Sequence, residues 1–407
     1  MSIIVQKYGG SSVGTPDRIK AVADRIIASK KKGHELVVVV SAMGDTTDDL
    51  LALAAKITEN PSDREMDMLL STGEQISIAL LAMAIHSKGE NAISFTGAQG
   101  GIFTDDVHRK AKILNIKPDN IVKELKKGNI VIVAGFQGID EEQNITTLGR
   151  GGSDTTAVAL AAALKADRCE IYTDVDGVYT ADPRIVPEAK KMQEISYEEM
   201  LELAQLGAKV MNARAMQFAA KFNVPLAVLS SFSDAPGTLM TKEAKNMEEI
   251  VVRGIALQED EAKITIQHVP DKPGIAAKLF KKIADANVNI DMIVQNISDK
   301  GVTDISFTVV LDDLKKTKEV LTPYVKEIGA GGLVTDENMA KVSVVGIGMR
   351  GHTGVAARMF NALAAESINI EMISTSEIKI SVVIEKQNAR KAMNVLHKEF
   401  ELDKIEA

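Results

Sequence analysis

Residues 274–293, GIAAKLFKKIADANVNIDMI, align without a gap with residues 354–373, GVAARMFNALAAESINIEMI, and nine of the twenty positions are identical. Self-similarity at a fixed offset, here 80 residues, marks a duplicated structural unit. In each copy a glycine opens a helical pattern. A β-branched run precedes it (263–269 and 341–346), another follows (303–310 and 379–384), and a second helical pattern comes after that. The unit reads βαββα. The first copy closes with a further strand near residues 333–335, whereas residues 399–407, EFELDKIEA, are too short and polar to supply a buried strand to the second. One unassigned run, residues 249–258 (EIVVRGIALQ), lies just before the first copy. The economical arrangement has this run complete the second copy, with the first inserted inside it.

Moving outward, residues 234–246, DAPGTLMTKEAKN, combine a Pro-Gly turn with a charged stretch and read as a boundary. Ahead of it the pattern is different. Short β-branched runs (3–6, 35–40, 93–95, 130–134, 170–173, 224–228) alternate with helical patterns (16–31, 63–88, 118–127, 154–165, 196–222), as in an α/β domain with a largely parallel sheet. A chain of 407 residues, 45% hydrophobic, has material for two or three such cores.

Composition excludes several functions. Forty-eight basic against 56 acidic side chains give −8, which argues against broad adhesion to nucleic acid or anionic lipid and requires that any anionic ligand be met by local cations. The N-terminus lacks a secretory signal, and no apolar run approaches the roughly 18 residues of a membrane span, so the expected location is the cytoplasm. Cys169 is the one cysteine, and the six histidines are scattered without an HExxH pairing, so no metal site is expected from protein ligands.

Two glycine clusters carry the chemistry. Lys7-Tyr8-Gly9-Gly10-Ser11-Ser12-Val13-Gly14 follows the first strand, where missing Cβ atoms let phosphate approach main-chain N–H groups and Lys7 supplies charge. Its spacing is not that of a P-loop. Leu148-Gly149-Arg150-Gly151-Gly152-Ser153-Asp154 places Arg150, a bidentate fork for carboxylate or phosphate, just before a helix. Ser153 and Asp154 serve equally as helix caps. Thr173-Asp174-Val175-Asp176-Gly177-Val178-Tyr179 and Asp182-Pro183-Arg184 follow a strand, where open α/β sheets bind ligands. A calcium loop is excluded because its twelfth position is Ile185. Ser71-Thr72-Gly73-Glu74 sets a carboxylate within an apolar helical stretch. Gly346-Ile347-Gly348-Met349-Arg350-Gly351, with Glu371 further on, formally matches a dinucleotide fingerprint, but the duplication argues against that reading, because the first copy keeps only the last turn glycine.

Taken together, KYGGSSVG at 7–14, VVVSAMGDTTDDL at 38–50, STGE at 71–74, TTLGRGGSDTTAVALAAAL at 146–164, YTDVDGVYTADPR at 172–184 and the paired repeats resemble the aspartokinases, specifically the monofunctional bacterial type. The resemblance covers essentially the whole chain. It implies an amino acid kinase fold at residues 1–233, a linker at 234–248, one ACT domain (βαββαβ, ferredoxin-like) at 263–338, and a second from 249–262 plus 339–407. The implied reaction is ATP- and Mg²⁺-dependent phosphorylation of the L-aspartate side-chain carboxylate, at the entry to lysine, threonine and methionine synthesis. By the same resemblance, Lys7, Arg150 and Asp154 are catalytic; Thr47, Glu74, Arg150 and Ser153 hold aspartate; and Lys7, Gly9, Gly10, Thr173, Asp174, Tyr179, Arg184, Lys209 and Val210 hold the nucleotide. Inhibitory amino acids, lysine or threonine or both, are implied between ACT domains at Asp271, Ala276, Ala277, Asn289, Asp291 and Gln295 and at Thr353, Val355, Asn369 and Ile370. Association through ACT domains is implied as a homo-oligomer or an α2β2 assembly, the latter with an internal start at Met247.

The chain departs from the family pattern in a few places. Asn212-Ala213 stand where His-Pro is usual, Leu229 where Arg is usual, and Arg350-Gly351-His352-Thr353 where Ser and Pro flank the histidine. Two rival readings remain: a kinase of the same fold acting on another acidic amino acid, and an amino acid sensor whose kinase half has decayed.

Overall fold

The computed structural model describes residues 2–208, 210–242, 250–295 and 301–405. Strand Glu35–Val40, ELVVVV, is buried on both faces and lies inside an eight-stranded sheet. Across that sheet the order is Glu194–Ser196, Thr238–Thr241, Leu226–Ser230, Arg168–Thr173, Ile3–Tyr8, Glu35–Val40, Ile130–Ala134 and Ala92–Phe95. Every neighbouring pair is parallel except Leu226–Ser230 with Thr238–Thr241. Alternate side chains of one strand therefore feed two cores. Leu36, Val38 and Val40 pack with helices Pro16–Lys31 and Asp63–His86, whereas Val37 and Val39 pack with Asp119–Lys126, Gly152–Leu164 and Ala213–Phe222.

Three features of this half differ from the expected pattern. Residues 196–222 form two helices, Tyr197–Gln205 and Ala213–Phe222, because Gly207 takes a left-handed φ of 100° and Asn212 caps the second helix with its side chain. A separate four-stranded sheet, ordered Ile113–Ile116, Ile102–Thr104, Gln137–Ile139, Ile145–Thr147, is built from segments that precede and follow strand Ile130–Ala134 in the chain. Helix Asp63–His86 is long and apolar enough by composition to cross a membrane, the single such helix among the described residues, but half of its most apolar window is buried in the domain.

The duplicated half builds one six-stranded sheet in the order Ile293–Gln295, Val302–Val310, Gly254–Pro270, Gly332–Val345, Lys379–Glu385, Met372–Thr375. The runs expected as separate strands at 249–258 and 263–269 fuse into Gly254–Pro270, and those at 333–335 and 341–346 fuse into Gly332–Val345. These two long strands pair antiparallel, Gly254–Gln258 lying against residues 341–345 and residues 263–267 against 332–336. Residues 254–258 thus occupy beside the second copy the place that 332–336 occupy beside the first. Helices Ile275–Asp285 and Leu311–Glu327 cover the first copy, and Val355–Ala365 and Ala389–Glu399 the second.

Charge pins the two copies together. Lys341 Nζ, with its side chain 1% exposed, lies 2.7 Å from Glu261 Oε1 and also pairs with Asp291, while Lys263 pairs with Glu371 at 2.9 Å. At the Gly346 turn, a Cβ on Gly346 would lie 2.4 Å from the Val251 carbonyl and one on Gly348 2.3 Å from that of Ile250. The glycines there accommodate neighbouring backbone.

Candidate active site

Parallel strands place their C-terminal ends, and the loops after them, on one edge of the sheet. Lys7, near the end of strand Ile3–Tyr8, points to the face covered by helix Gly152–Leu164 and forms an ion pair of 2.6 Å with Asp154 in that helix's first turn. Both residues are 9% exposed. Gly9 donates its N–H to the Tyr172 carbonyl at 3.3 Å. A Cβ on Gly10 would sit 2.8 Å from the Ala42 carbonyl, so only glycine lets the 9–14 loop lie against the 41–46 loop. Thr47 stands at the start of helix Thr46–Ala55, directly after that second loop.

Glu74 reaches the same corner from helix Asp63–His86. It is 3% exposed, and Oε1 accepts the Ala42 N–H at 3.1 Å, while buried Oε2 has no partner among the described residues. Burial pushes its carboxyl up to about 7, against the smaller opposing pull of the Ala42 N–H. A buried carboxylate with a vacant oxygen is a receptor for a cation.

The Arg150 loop is held from three sides. Gly149 and Gly151 are left-handed, with φ of 77° and 73°. Arg214 donates to the carbonyls of Leu148 (3.1 Å) and Ala111 (2.7 Å), and Asn212 Nδ2 donates to the Arg150 carbonyl at 3.0 Å. Asn212 Oδ1 meanwhile accepts the N–H groups of Arg214 and Ala215. The side chain standing where histidine is usual is therefore both a helix cap and a tether for the loop. The guanidinium of Arg150 is exposed, and Ser153 is buried beside Gly135.

The third hold comes from a residue that sequence reasoning missed. Asp67, 0% exposed and seven residues before Glu74, accepts from Thr147 Oγ1 at 2.5 Å and from the Arg109 N–H at 3.1 Å. His108 Nδ1 lies 2.7 Å from its Oδ2. Spacing was the available signal, since i and i+7 share a helix face.

Around the 173–184 loop, Thr173 Oγ1 donates to Asp174 at 3.1 Å, Tyr179 donates to Asp176 at 2.9 Å, and Lys191 pairs with Asp176 at 3.2 Å. Arg184 is clamped by Asp182, 2.7 Å away, which raises the guanidinium and lowers the carboxyl. Val210 packs partly buried against the α/β core, and Lys209 lies outside the described residues. Leu229 is half-buried against the core that contains Tyr8 and Tyr172. Cys169 is fully buried, and burial pushes its thiol up, so it is no nucleophile.

In the duplicated half, Asp271, Ala276 and Gln295 line one cavity of about 280 Å³ with Pro270, Thr303 and Ile305. Ala277 and Asn289 are exposed outside its lining, and Asp291 is engaged by Lys341. Val355 is buried and Ile370 half-buried in the second copy's core; Thr353 and Asn369 are exposed.

Comparison with known proteins now bears on this geometry. The amino acid kinase family model matches residues 2–230, and ACT domain models match 263–326 and 342–400. An aspartokinase of Pseudomonas aeruginosa is 56% identical over 99% of this chain and 98% of its own length. An aspartokinase of Corynebacterium glutamicum is 52% identical over 99% and 97%. The chain belongs to the aspartokinases. Among solved structures, E. coli aspartokinase III in complex with aspartate and ADP superposes with a TM-score of 0.84 at 25% identity, covering 98% of this chain and 99% of that one. The same enzyme with lysine and aspartate gives 0.75 at 26% identity, covering 98% and 99%. This aspartokinase is thus an aspartate kinase with an amino acid kinase domain, two ACT domains and allosteric regulation.

Proposed function

We propose that the sheet edge bearing Lys7, Glu74, Arg150 and Asp154 transfers the γ-phosphoryl group of ATP to the side-chain carboxylate of L-aspartate, giving 4-phospho-L-aspartate. The vacant, buried Oε2 of Glu74 carries the substrate reading, because the ammonium of an amino acid is the cation it lacks. Arg150 grips a substrate carboxylate, with Thr47 and Ser153 completing the pocket. Lys7, oriented by Asp154, meets the transferring phosphoryl group. The nucleotide lies along Gly9, Gly10, Thr173, Asp174, Tyr179, Arg184, Lys209 and Val210.

The nucleophile needs no general base, since an aspartate side chain titrates near 4 and is an anion at neutral pH. Catalysis is positioning and charge neutralisation. At ~4 Å and an effective dielectric of ~20, one unit-charge contact amounts to roughly 4 kcal/mol, so Lys7 and Arg150 dominate what the chain itself contributes. Mg²⁺ would supply further neutralisation and arrive on the triphosphate.

The proposed division is residues 1–233, 234–248, 263–338 and 249–262 plus 339–407, with one correction: strand Thr238–Thr241, inside the expected linker, pairs with Leu226–Ser230 and Glu194–Ser196 and so belongs to the first domain's sheet. Lysine, threonine or both are the proposed inhibitors, bound at the first ACT domain's cavity. The exposed outer strands, Ile293–Gln295 and Met372–Thr375, favour association through ACT domains, as a homo-oligomer or an α2β2 assembly. The internal start that the latter needs, Met247, lies outside the described residues. The proposed setting is the cytoplasm, in lysine, threonine and methionine synthesis.

The deciding experiment is steady-state kinetics of Arg150→Ala. The aspartate KM should rise far more than the ATP KM; an unchanged aspartate KM would refute the assignment. Absence of any aspartate-dependent ATP turnover in the unmodified chain would favour the sensor reading instead.

A further inference from the structure

Helix Asp63–His86 holds Glu74 directly against the 41–46 loop and, two turns earlier, holds Asp67 against the base of the Arg150 loop. Seven residues span about 10 Å of helix axis, so the two carboxylates are fixed ends of one rigid element. Asp67 meets three donors from two separate segments. Thr147 ends the strand three residues before Arg150, and Arg109, itself in a left-handed conformation with φ of 64°, presents its N–H. His108 Nδ1 carries the proton in its contact, because a carboxylate only accepts. The Arg109 carbonyl in turn backs onto Gly149, where a Cβ would come within 2.9 Å. The chain of contacts from Asp67 therefore runs to the backbone on the N-terminal side of Arg150 by two routes, Thr147 and Arg109–Gly149.

We infer that Asp67 is a positioning residue for aspartate: it sets the pose of the Arg150 loop relative to Glu74, so that one helix fixes the spacing between the ammonium receptor and the carboxylate fork. The inference rests on Arg150 gripping a substrate carboxylate. A buried carboxylate serving stability alone would lower melting temperature and kcat without distinguishing the two substrates. A positioning role separates them, because a displacement of about 1 Å in an orienting group can cost up to ~10²-fold.

The test is full kinetics and melting curves for Asp67→Asn, Thr147→Val, Thr147→Ser and Arg150→Ala. Asp67→Asn places an amide N–H₂ among donors, and should raise the aspartate KM about tenfold or more while the ATP KM stays within about twofold. Thr147→Val should move the aspartate KM in the same direction by a smaller factor, and Thr147→Ser, which restores the hydroxyl, should return it. Equal rises in both KM values, or loss of kcat with both KM values unchanged, would overturn the inference. If Asp67→Asn fails to fold, the Thr147 pair decides alone, and recovery by serine is the required result. If Arg150→Ala leaves the aspartate KM unchanged, the Arg150 reading has failed and the inference falls with it. If Arg150→Ala raises it and neither Asp67→Asn nor Thr147→Val does, only the role of Asp67 is refuted.

Discussion

The first ACT copy contains a cavity of about 280 Å³ lined by Asp271, Ala276 and Gln295, whereas the second copy grips the kinase domain. Arg350 pairs with Glu198 at 2.9 Å, Lys379 with Glu202 at 2.9 Å, and the Ile347 N–H donates to Glu199 at 3.0 Å. Those three acids lie on one helix, Tyr197–Gln205. Ala181 and Val186, from the loop after strand Arg168–Thr173, are part of the second copy's own core, and Thr180 meets His397 at 2.9 Å. Two positions that line the cavity in the first copy carry different residues in the second: Asp271 corresponds to Gly351, and Gln295 to Thr375. Duplication supplied two like folds, and they differ in their surroundings: the cavity lies in the first, and these contacts with the kinase domain are made by the second.

The largest effect expected from this comparison is on removal of residues 249–258. Residues 254–258 hydrogen-bond to 341–345 and to no strand of the first copy, so the second copy should lose hydrogen-exchange protection across residues 341–399 and release the 178–186 loop, while helix Ile275–Asp285 keeps its protection. Equal loss in both copies would break the proposed insertion.

Next in size is the charge at the seam. Glu261 and Lys341 occupy equivalent positions of the repeat, 80 residues apart, and differ in sign. Burial raises the Glu261 carboxyl, with Lys341 opposing that rise. Lys341→Met leaves the acid buried and uncompensated, and should cost about 3–5 kcal/mol in chemical denaturation. Adding Glu261→Met should recover most of that loss, because neither charge then needs a partner. A single mutant within about 0.5 kcal/mol of the parent would show that Lys341 does not hold this seam.

How much of this is legible in the sequence depends on the residues concerned. The duplication is plain because nine identities stand in one register, and the place of the strand before it follows from counting which copy lacks one. The glycine clusters at 9–10 and 149–152 announce close backbone approaches, and the structure places a carbonyl or a side chain within 3 Å of where most of their Cβ atoms would be. Fusion of the long strands is hidden, because Glu259-Asp260-Glu261 interrupts the apolar alternation and reads as a turn. The four-stranded sheet is hidden by strands of three or four residues, too short for a period to show. Asp67 is hard to see for a different reason: as one of three acids in DREMDMLL it looks like solvated decoration, its seven-residue spacing to Glu74 is the one local signal, and its three partners, 41 to 80 residues away in sequence, reveal its burial.

The smallest effect expected is at the coupling contact itself, and it carries a sign. His397 is 2% exposed and meets Thr180 Oγ1 at 2.9 Å, linking helix Ala389–Glu399 to the loop that continues into Asp182 and Arg184. Burial lowers its imidazole below the ordinary value, and Asp403 and Glu188 oppose that only in part. The folded junction therefore binds fewer protons than the separated one as pH falls through about 6.5, so its stability is fully present above that value and is lost progressively below it. Hydrogen exchange of residues 178–186, taken relative to the intrinsic rate at each pH, should accelerate between pH 7 and 5.5 in the unmodified protein. His397→Gln, which keeps a polar contact for Thr180 without a titrating group, should abolish that acceleration at an overall cost of about 1 kcal/mol. The first copy, with no such histidine against the kinase domain, should show none of this pH dependence in helix Ile275–Asp285. A matching acceleration there would mean that acid loosens the regulatory half as a whole, and that the second copy has no special place in the coupling.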